Sequence, residues 1–253
     1  MSLKVVITGA SSGIGEALAR EYAGRGATLA LIARRADLLA ELKNTLPATV
    51  ATYAADVREA QAMQQAADDF VSRFGCPNVV IANAGISRGT LTEKAEDLEA
   101  YQNILDTNIM GMVKTFQPYL ERMREERRGT LVGIASISGF RGLPGAGAYS
   151  ASKSAVISYL ESLRVELRGS GVSVLTVCPG YVATAMTANN PYPMPFIISA
   201  EAAAKKIIRA IDQQRKFLVI PWQMAFLGRI LKILPRGLYD RLFAKAPRKP
   251  RDV

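Results

Sequence analysis

The 253-residue chain is long enough for one large α/β unit with a sizeable core, and 49% hydrophobic with 21% charged residues excludes a disordered chain. It holds no histidine, which excludes a Ser-His-Asp hydrolase, a His-ligated zinc centre and a histidine general base, so proton transfer falls to Tyr, Lys, Cys or a carboxylate. The formal charge of +10 raises nucleic acid or anionic membrane as partners, but the excess gathers in residues 229–251 and no nucleic-acid module accompanies it, so nucleic acid is not expected.

Cys76 and Cys178 stand far apart and each precedes a proline, so neither a disulfide framework nor a CxxC pair is expected, and the setting reads as reducing and cytoplasmic. The N-terminus runs into a strand pattern without the apolar stretch of a signal peptide. No apolar run reaches the roughly 18 residues of a spanning helix.

The first predicted strand, residues 4–8, leads into Thr8-Gly9-Ala10-Ser11-Ser12-Gly13-Ile14-Gly15 and a helical pattern over 14–25. Glycines at a strand-to-helix turn permit a tight bend and close approach of backbone to a pyrophosphate. The helix N-terminus adds free N–H groups and positive dipole. The spacing is GxxxGxG, not the GxGxxG of the standard dinucleotide motif. In this strand–turn–helix setting Gly9, Ser11, Ser12, Gly13, Ile14 and Gly15 are candidate cofactor contacts.

A second strand, 28–33, continues into Arg34-Arg35, with no acid before Asp37. An acid there would bind a ribose 2′-hydroxyl and repel a 2′-phosphate, whereas a guanidinium binds the phosphate. NADP(H) is therefore expected over NAD(H), with Arg34 favoured over Arg35; solvated loop arginines are the plain alternative. A helix over 37–46 and a third strand, 49–54, precede Asp56-Val57, where a side chain can reach the adenine. After a helix over 60–74, a fourth strand, 78–82, closes on Asn83-Ala84-Gly85, at the carboxyl edge where open α/β sheets bind ligands. Both segments also suit a turn or a helix cap.

One long helix is predicted over 98–124, and the strand 130–135 brings Ser136 to the same edge. Tyr149-Ser150-Ala151-Ser152-Lys153 then opens a helix over 149–168. Residues four apart share a helix face, so phenol and ammonium enter one pocket. A neighbouring cation favours the phenolate and lowers its pKa, making the tyrosine a competent acid/base. Ser136 can donate to a substrate oxygen as charge develops there. A strand over 172–177, Pro179-Gly180-Tyr181-Val182-Ala183-Thr184, a helix over 200–213 and a strand over 217–220 follow. Most strands are continuous apolar runs, as in a parallel sheet covered on both faces. The repeated βαβ units imply a doubly wound α/β fold.

Taken together, these segments resemble the classical short-chain dehydrogenase/reductase family, from the first strand to about Thr184. The glycine turn matches its cofactor motif, Asn83-Ala84-Gly85 its NAG motif, Tyr149 to Lys153 its YxxxK motif, and Asn108 its catalytic asparagine. The resemblance implies a single-domain Rossmann fold with a mostly parallel seven-stranded sheet and helices on both faces. It implies an NADP(H)-dependent oxidoreductase acting on a carbonyl or alcohol, without a metal. Tyr149 exchanges the proton, and Ser136 orients the substrate oxygen. Lys153 binds the nicotinamide ribose, lowers the tyrosine pKa and connects through water to Asn108. Pro179, Gly180, Val182 and Thr184 fall in a PGxxxT segment that contacts the nicotinamide carboxamide. A homodimer or homotetramer built on the helices 98–124 and 149–168 is also implied, and Ala151, Ala155, Ser158 and Ser162 suit such close approach as well as they suit intramolecular packing. A non-catalytic NADP-binding or membrane-associated interaction protein is the alternative reading.

Beyond Thr184, Pro191-Tyr192-Pro193-Met194-Pro195-Phe196 reads as an apolar lid suited to an apolar substrate, or simply as a packed loop. Residues 1–221 read as the catalytic domain and 222–253 as a basic amphipathic extension. Within it, 226–245 suits peripheral contact with a membrane. The preferred reading is instead that Trp222, Phe226, Leu227, Leu231, Leu242 and Phe243 cover the substrate pocket or a subunit seam.

Overall fold

The computed structural model describes residues 3–251; residues 1, 2, 252 and 253, counted above in the two-part division, lie outside them. In chain order it contains β1 (Lys4–Thr8), α1 (Gly13–Gly24), β2 (Thr28–Ala33), α2 (Ala36–Thr45), β3 (Val50–Ala54), α3 (Ala60–Phe74) and β4 (Val79–Ala82). Next come α4 (Leu98–Leu105), a π-helical turn (Asp106–Met110), α5 (Gly111–Glu125), β5 (Gly129–Ile134), α6 (Gly147–Glu166) and β6 (Val172–Pro179). The remainder comprises β7 (Val182–Ala183), α7 (Ala185–Ala188), β8 (Ile198–Ser199), α8 (Ala200–Asp212), β9 (Phe217–Ile220), α9 (Trp222–Ile233) and α10 (Arg236–Phe243).

Seven strands form one sheet in the order β3-β2-β1-β4-β5-β6-β9, with every pairing parallel. All six residues of β2 are buried, which is why its sequence is an uninterrupted apolar run. Successive residues face opposite layers. Val5 and Ile7 join Leu18 and Tyr22 of α1, Leu39 of α2 and Ile207 of α8. Val6 joins Phe70 of α3, Phe116 and Tyr119 of α5 and Leu160 of α6. Truncating such a side chain, Phe70→Ala for example, costs about 3–5 kcal/mol.

The predicted strands and helices are present with ends shifted by a residue or two, save one. The continuous helix expected over 98–124 is interrupted by the π-helical turn, which separates α4 from α5 and buries Asn108 completely. Such bulges place one extra residue in a helix and re-aim side chains around it.

The C-terminal helices sit on the loop after β5. Gly228 of α9 lies against Phe140, where a Cβ would come within 2.5 Å of the ring. The Arg141 guanidinium donates to the carbonyls of Leu231 and Leu234, both at 3.0 Å, and stacks over the Tyr239 ring at 4.2 Å. The outward side chains are a different matter. Trp222 is 74% exposed, Phe226 62% and Ile233 81%, so the expected cover over a pocket is not made by Trp222 and Phe226; Met224, Gly228 and Tyr239 make the inward contacts. None of the described helices is long and apolar enough to cross a membrane.

Candidate active site

A crevice of about 380 Å³ runs along the carboxyl ends of the strands. It spans β1 and β4, where the strand order reverses and open α/β sheets bind their ligands. Gly9 begins the turn at φ +64°, and a Cβ on Gly15 would fall 2.2 Å from the Gly9 carbonyl oxygen, so neither position admits a side chain. Ser12 caps α1 without a side-chain bond into the first turn. That terminus therefore keeps donors for an anion. Asn83 holds this turn from the neighbouring strand: its side-chain amide donates to the carbonyls of Thr8 (3.0 Å) and Gly9 (3.2 Å), and its N–H to Thr8 Oγ1 (3.1 Å). It is bound to backbone and shapes the cradle.

Arg34 and Arg35 both line the crevice, and they differ in their anchoring. Arg35 donates to Ser11 Oγ and Ser12 Oγ, each at 3.0 Å, which lays its guanidinium across the glycine turn. Arg34 makes no such bond among the described residues and acts on Asp56 through charge. Asp56 is gripped bidentately by Arg58, and this hydrogen-bonded guanidinium holds its carboxyl below the usual range. Val57 is buried against Gly111.

At the other end, β5 and α6 bring together the side chains expected to react. Ser136 follows β5 and accepts from the Ser138 N–H at 3.1 Å. Tyr149 and Lys153 lie one turn apart near the start of α6, with the ammonium 5.7 Å from the phenol ring centroid. Lys153 Nζ donates to the Ile134 carbonyl at 2.8 Å. Asn108 accepts from the Ile86 N–H (2.8 Å) and donates to the Ile86 carbonyl (3.0 Å) and to Ser152 Oγ (2.9 Å). Ser152 in turn donates to the Tyr149 carbonyl (2.8 Å). Sequence reasoning passed over Ser152, although its place three residues after Tyr149 suits a hydroxyl bonding back to the preceding turn.

On balance the tyrosine is not depressed as expected, because burial dominates its shift. Burial pushes the Tyr149 phenol up, and its hydrogen bond with Ser136 opposes this only in part. Burial lowers Lys153 to about 8. Close to both, burial raises the Cys178 thiol to about 12, against the opposing pull of Lys153.

Pro179, Gly180, Val182 and Thr184 also line the crevice, together with Ala84, Gly85 and Ile14. Val182 lies on a short β7–β8 pair and Thr184 caps the one-turn α7, neither of which the sequence announced. Thr184 and Thr187 form a reciprocal cap on α7. The Pro191–Phe196 loop follows, with the Tyr192 ring 6.4 Å from that of Tyr181, and Tyr192 is near enough to raise Tyr149 electrostatically.

Residues 3–193 match the family of short chain dehydrogenases. An uncharacterized oxidoreductase of Myxococcus xanthus (strain DK1622) is 39% identical over 238 residues, which cover 93% of this chain and 94% of that protein. The 11-beta-hydroxysteroid dehydrogenase 1A of Arabidopsis thaliana is 34% identical over 251 residues, covering 90% of this chain and 71% of that one. A short chain dehydrogenase of Burkholderia cenocepacia J2315, solved in complex with NADP, is similar with a TM-score of 0.83 at 25% identity, covering 97% of this chain and 98% of that one. A short chain dehydrogenase/reductase of Burkholderia phymatum, solved in complex with NAD, gives 0.83 at 25% identity and covers 100% and 98%.

Proposed function

The chain belongs to the short chain dehydrogenase family as an oxidoreductase, and from that premise we propose that it transfers a hydride between NADP(H) and a carbonyl or secondary alcohol on an apolar substrate. The observation that carries this reading is the meeting of Ser136, Tyr149 and Lys153 at one end of a crevice whose other end is a glycine cradle, with Asn108 buried and bonded to Ser152 of the same helix.

The cradle fits a pyrophosphate. Gly9, Ser11, Ser12, Gly13, Ile14 and Gly15 would hold it, with Asp56 and Val57 toward the adenine and Ala84 and Gly85 along the ribose. Lys153, Pro179, Gly180, Val182 and Thr184 would hold the nicotinamide half. Arg34 and Arg35 favour a 2′-phosphate, and Arg35 is held in advance by its two serines. When bound, the nicotinamide supplies or accepts the hydride. The raised Tyr149 phenol keeps its proton at neutral pH, so in reduction it starts as the acid and donates to the substrate oxygen. Ser136 donates a hydrogen bond to the same oxygen. Lys153, mostly charged at neutral pH, favours the phenolate left behind. Asn108 and Ser152 fix the start of α6 and so the aim of Tyr149.

An apolar substrate suits Tyr181, Met186 and Tyr192 beside the site, and the similar Arabidopsis protein is named for a steroid. The outward row of α6, with Ala151 and Ser158 exposed and Val165 60% exposed, supports a homodimer or homotetramer through that helix. NADPH oxidation by the purified protein against a panel of aldehydes, ketones and quinones tests the reading. Turnover of an apolar ketone is expected, whereas NADPH binding without oxidation of any compound would favour the non-catalytic alternative.

A further inference from the structure

We infer that residues 248–251 form a wall on the substrate side of the site, and that Lys249 in it selects carbonyl substrates that carry an anionic group near the carbonyl. This names a substrate class for the oxidoreductase reading and rests on it.

The last described residues are docked, and the parts that receive them are built for the purpose. Arg251 Nε and Nη2 donate to the two oxygens of Asp97 at 2.8 and 3.0 Å, and Nη2 also to Glu96 at 2.9 Å. Asp97 is only 3% exposed and also accepts the Leu91 N–H, so this anchor joins a covered carboxylate to a partly exposed guanidinium. The Gly89 N–H donates to the Pro250 carbonyl at 2.9 Å, and the Arg88 guanidinium donates to the Arg251 carbonyl. Any Cβ on Gly89 would sit 2.3 Å from the Lys249 carbonyl oxygen. Gly145, at φ +71°, likewise leaves room for Arg248, whose side chain a Cβ would meet at 2.8 Å. Three separate segments are thus shaped to four tail residues.

The result is a second ammonium at the tyrosine. Lys249 Nζ lies 5.8 Å from the Tyr149 ring centroid, against 5.7 Å for Lys153. The two are satisfied differently. Lys153 binds the end of β5, while Lys249 donates to Ser87 Oγ at 2.8 Å. Burial lowers the Lys249 pKa, with no carboxylate opposing the shift. Among the described residues no carboxylate pairs with it, and the acids nearby, Glu96 and Asp97, are held by Arg251. An ammonium has three donors, and a half-buried one lacking a counter-ion is completed by an anion. Contact with the Tyr149 ring places that anion beside the atom to be reduced.

A 3-keto acid and its methyl ester, each with an apolar tail, provide the test. The wild-type protein should prefer the acid. Lys249→Met should lower the acid-to-ester ratio of kcat/KM by roughly 10–100-fold, chiefly through the KM of the acid, and Lys249→Arg should restore part of it. Arg251→Ala, which releases the anchor, should move the ratio the same way, with NADPH affinity reporting that each variant is folded. Calorimetric binding of the corresponding 3-hydroxy acid to the NADP-loaded protein reads the inference apart from turnover. Binding weakened by Lys249→Met without any turnover of ketones would sink the oxidoreductase reading and leave Lys249 as an anion site only. Binding indifferent to Lys249→Met, or an equal gain in acid and ester turnover when the tail is released, would overturn it and mark the tail as an obstruction.

Discussion

On the cofactor side of the crevice, the parts that meet are the ends of neighbouring parallel strands. Asn83 after β4 reaches Thr8 and Gly9 at the end of β1, and Arg35 after β2 reaches Ser11 and Ser12. On the substrate side, Ser87 meets Lys249 and Asp97 meets Arg251, partners 162 and 154 residues apart. Strand register alone delivers the first set, since forming the sheet aligns the turns. The second set forms only when the tail folds back across the finished domain, and it is held by a few polar anchors in place of a continuous core. The first should behave as part of the global fold, and the second as a unit that opens on its own.

Tyr149 stands where the two sides meet, and its removal should have the largest effect. Tyr149→Phe keeps the ring and loses the acid, so turnover should fall by roughly 10²–10⁴-fold while NADPH affinity stays near that of the wild type. Near-normal turnover by this variant would remove the acid/base role and with it the division of labour between the two sides.

What was legible in the sequence follows the same division. Strands buried on both faces announce themselves as apolar runs, and β2 is the clearest case. The glycine turn and the Tyr149–Lys153 spacing are local patterns, so they could be placed on their elements without knowing the tertiary structure. The π-helical turn could not, because the periodicity of 98–124 runs on unbroken and the extra residue makes sense only once Asn108 meets Ile86 and Ser152. Two-residue strands such as β7 and β8 have no period to detect. The tail showed only as basic charge, and its reach to Asp97 and Ser87 is invisible to any local reading.

The two adjacent arginines differ in how they are held. The sequence favours Arg34, and Arg35 is the one already held over the cradle. Arg35→Ala should weaken NADPH by roughly 10–100-fold, NADH by much less, and Arg34→Ala should show the same selectivity with the smaller loss. Titrating both cofactors into both variants decides it. Equal NADPH and NADH affinity in the wild type would end the case for NADP, whichever arginine is altered.

A smaller effect, in pH, tests Lys153. Its pKa is lowered to about 8, so the ammonium is charged below that and neutral above. If the charged form holds the ribose, NADPH affinity should be full near pH 7 and decline as pH rises through about 8, by at most about tenfold per unit. Burial lowers Lys249 as well, so Lys249→Met is the control and should keep the decline. Asp56 is held lower, Tyr149 is pushed up, and Cys178 sits at about 12. Lys153→Met should bind weakly at every pH, with a flat profile. A decline that persists in Lys153→Met would assign the titration elsewhere.

The smallest effect on chemistry should come from the outward face of α9, which contributes to neither side of the crevice. Ile233 and Phe226 are largely exposed there, with Arg229 and Lys232 on the same helix and Arg241 and Lys245 close behind. Exposed apolar side chains edged by bases suit an anionic lipid surface, where burial and charge attraction act together. The protein should therefore sediment with anionic vesicles, less with neutral ones, and release as salt screens the charges. Ile233→Glu should abolish sedimentation while shifting stability by no more than about 0.5 kcal/mol, as expected for an exposed side chain. NADPH affinity and turnover without vesicles should then match the wild type. If no vesicle binding occurs at any salt, and Ile233→Glu instead lowers the sedimentation coefficient of the protein alone, the face belongs to a second copy. The α9 helix would then be a subunit seam, and the tail anchored just beyond it would sit beside that seam, with the substrate side alone exposed to changes in assembly.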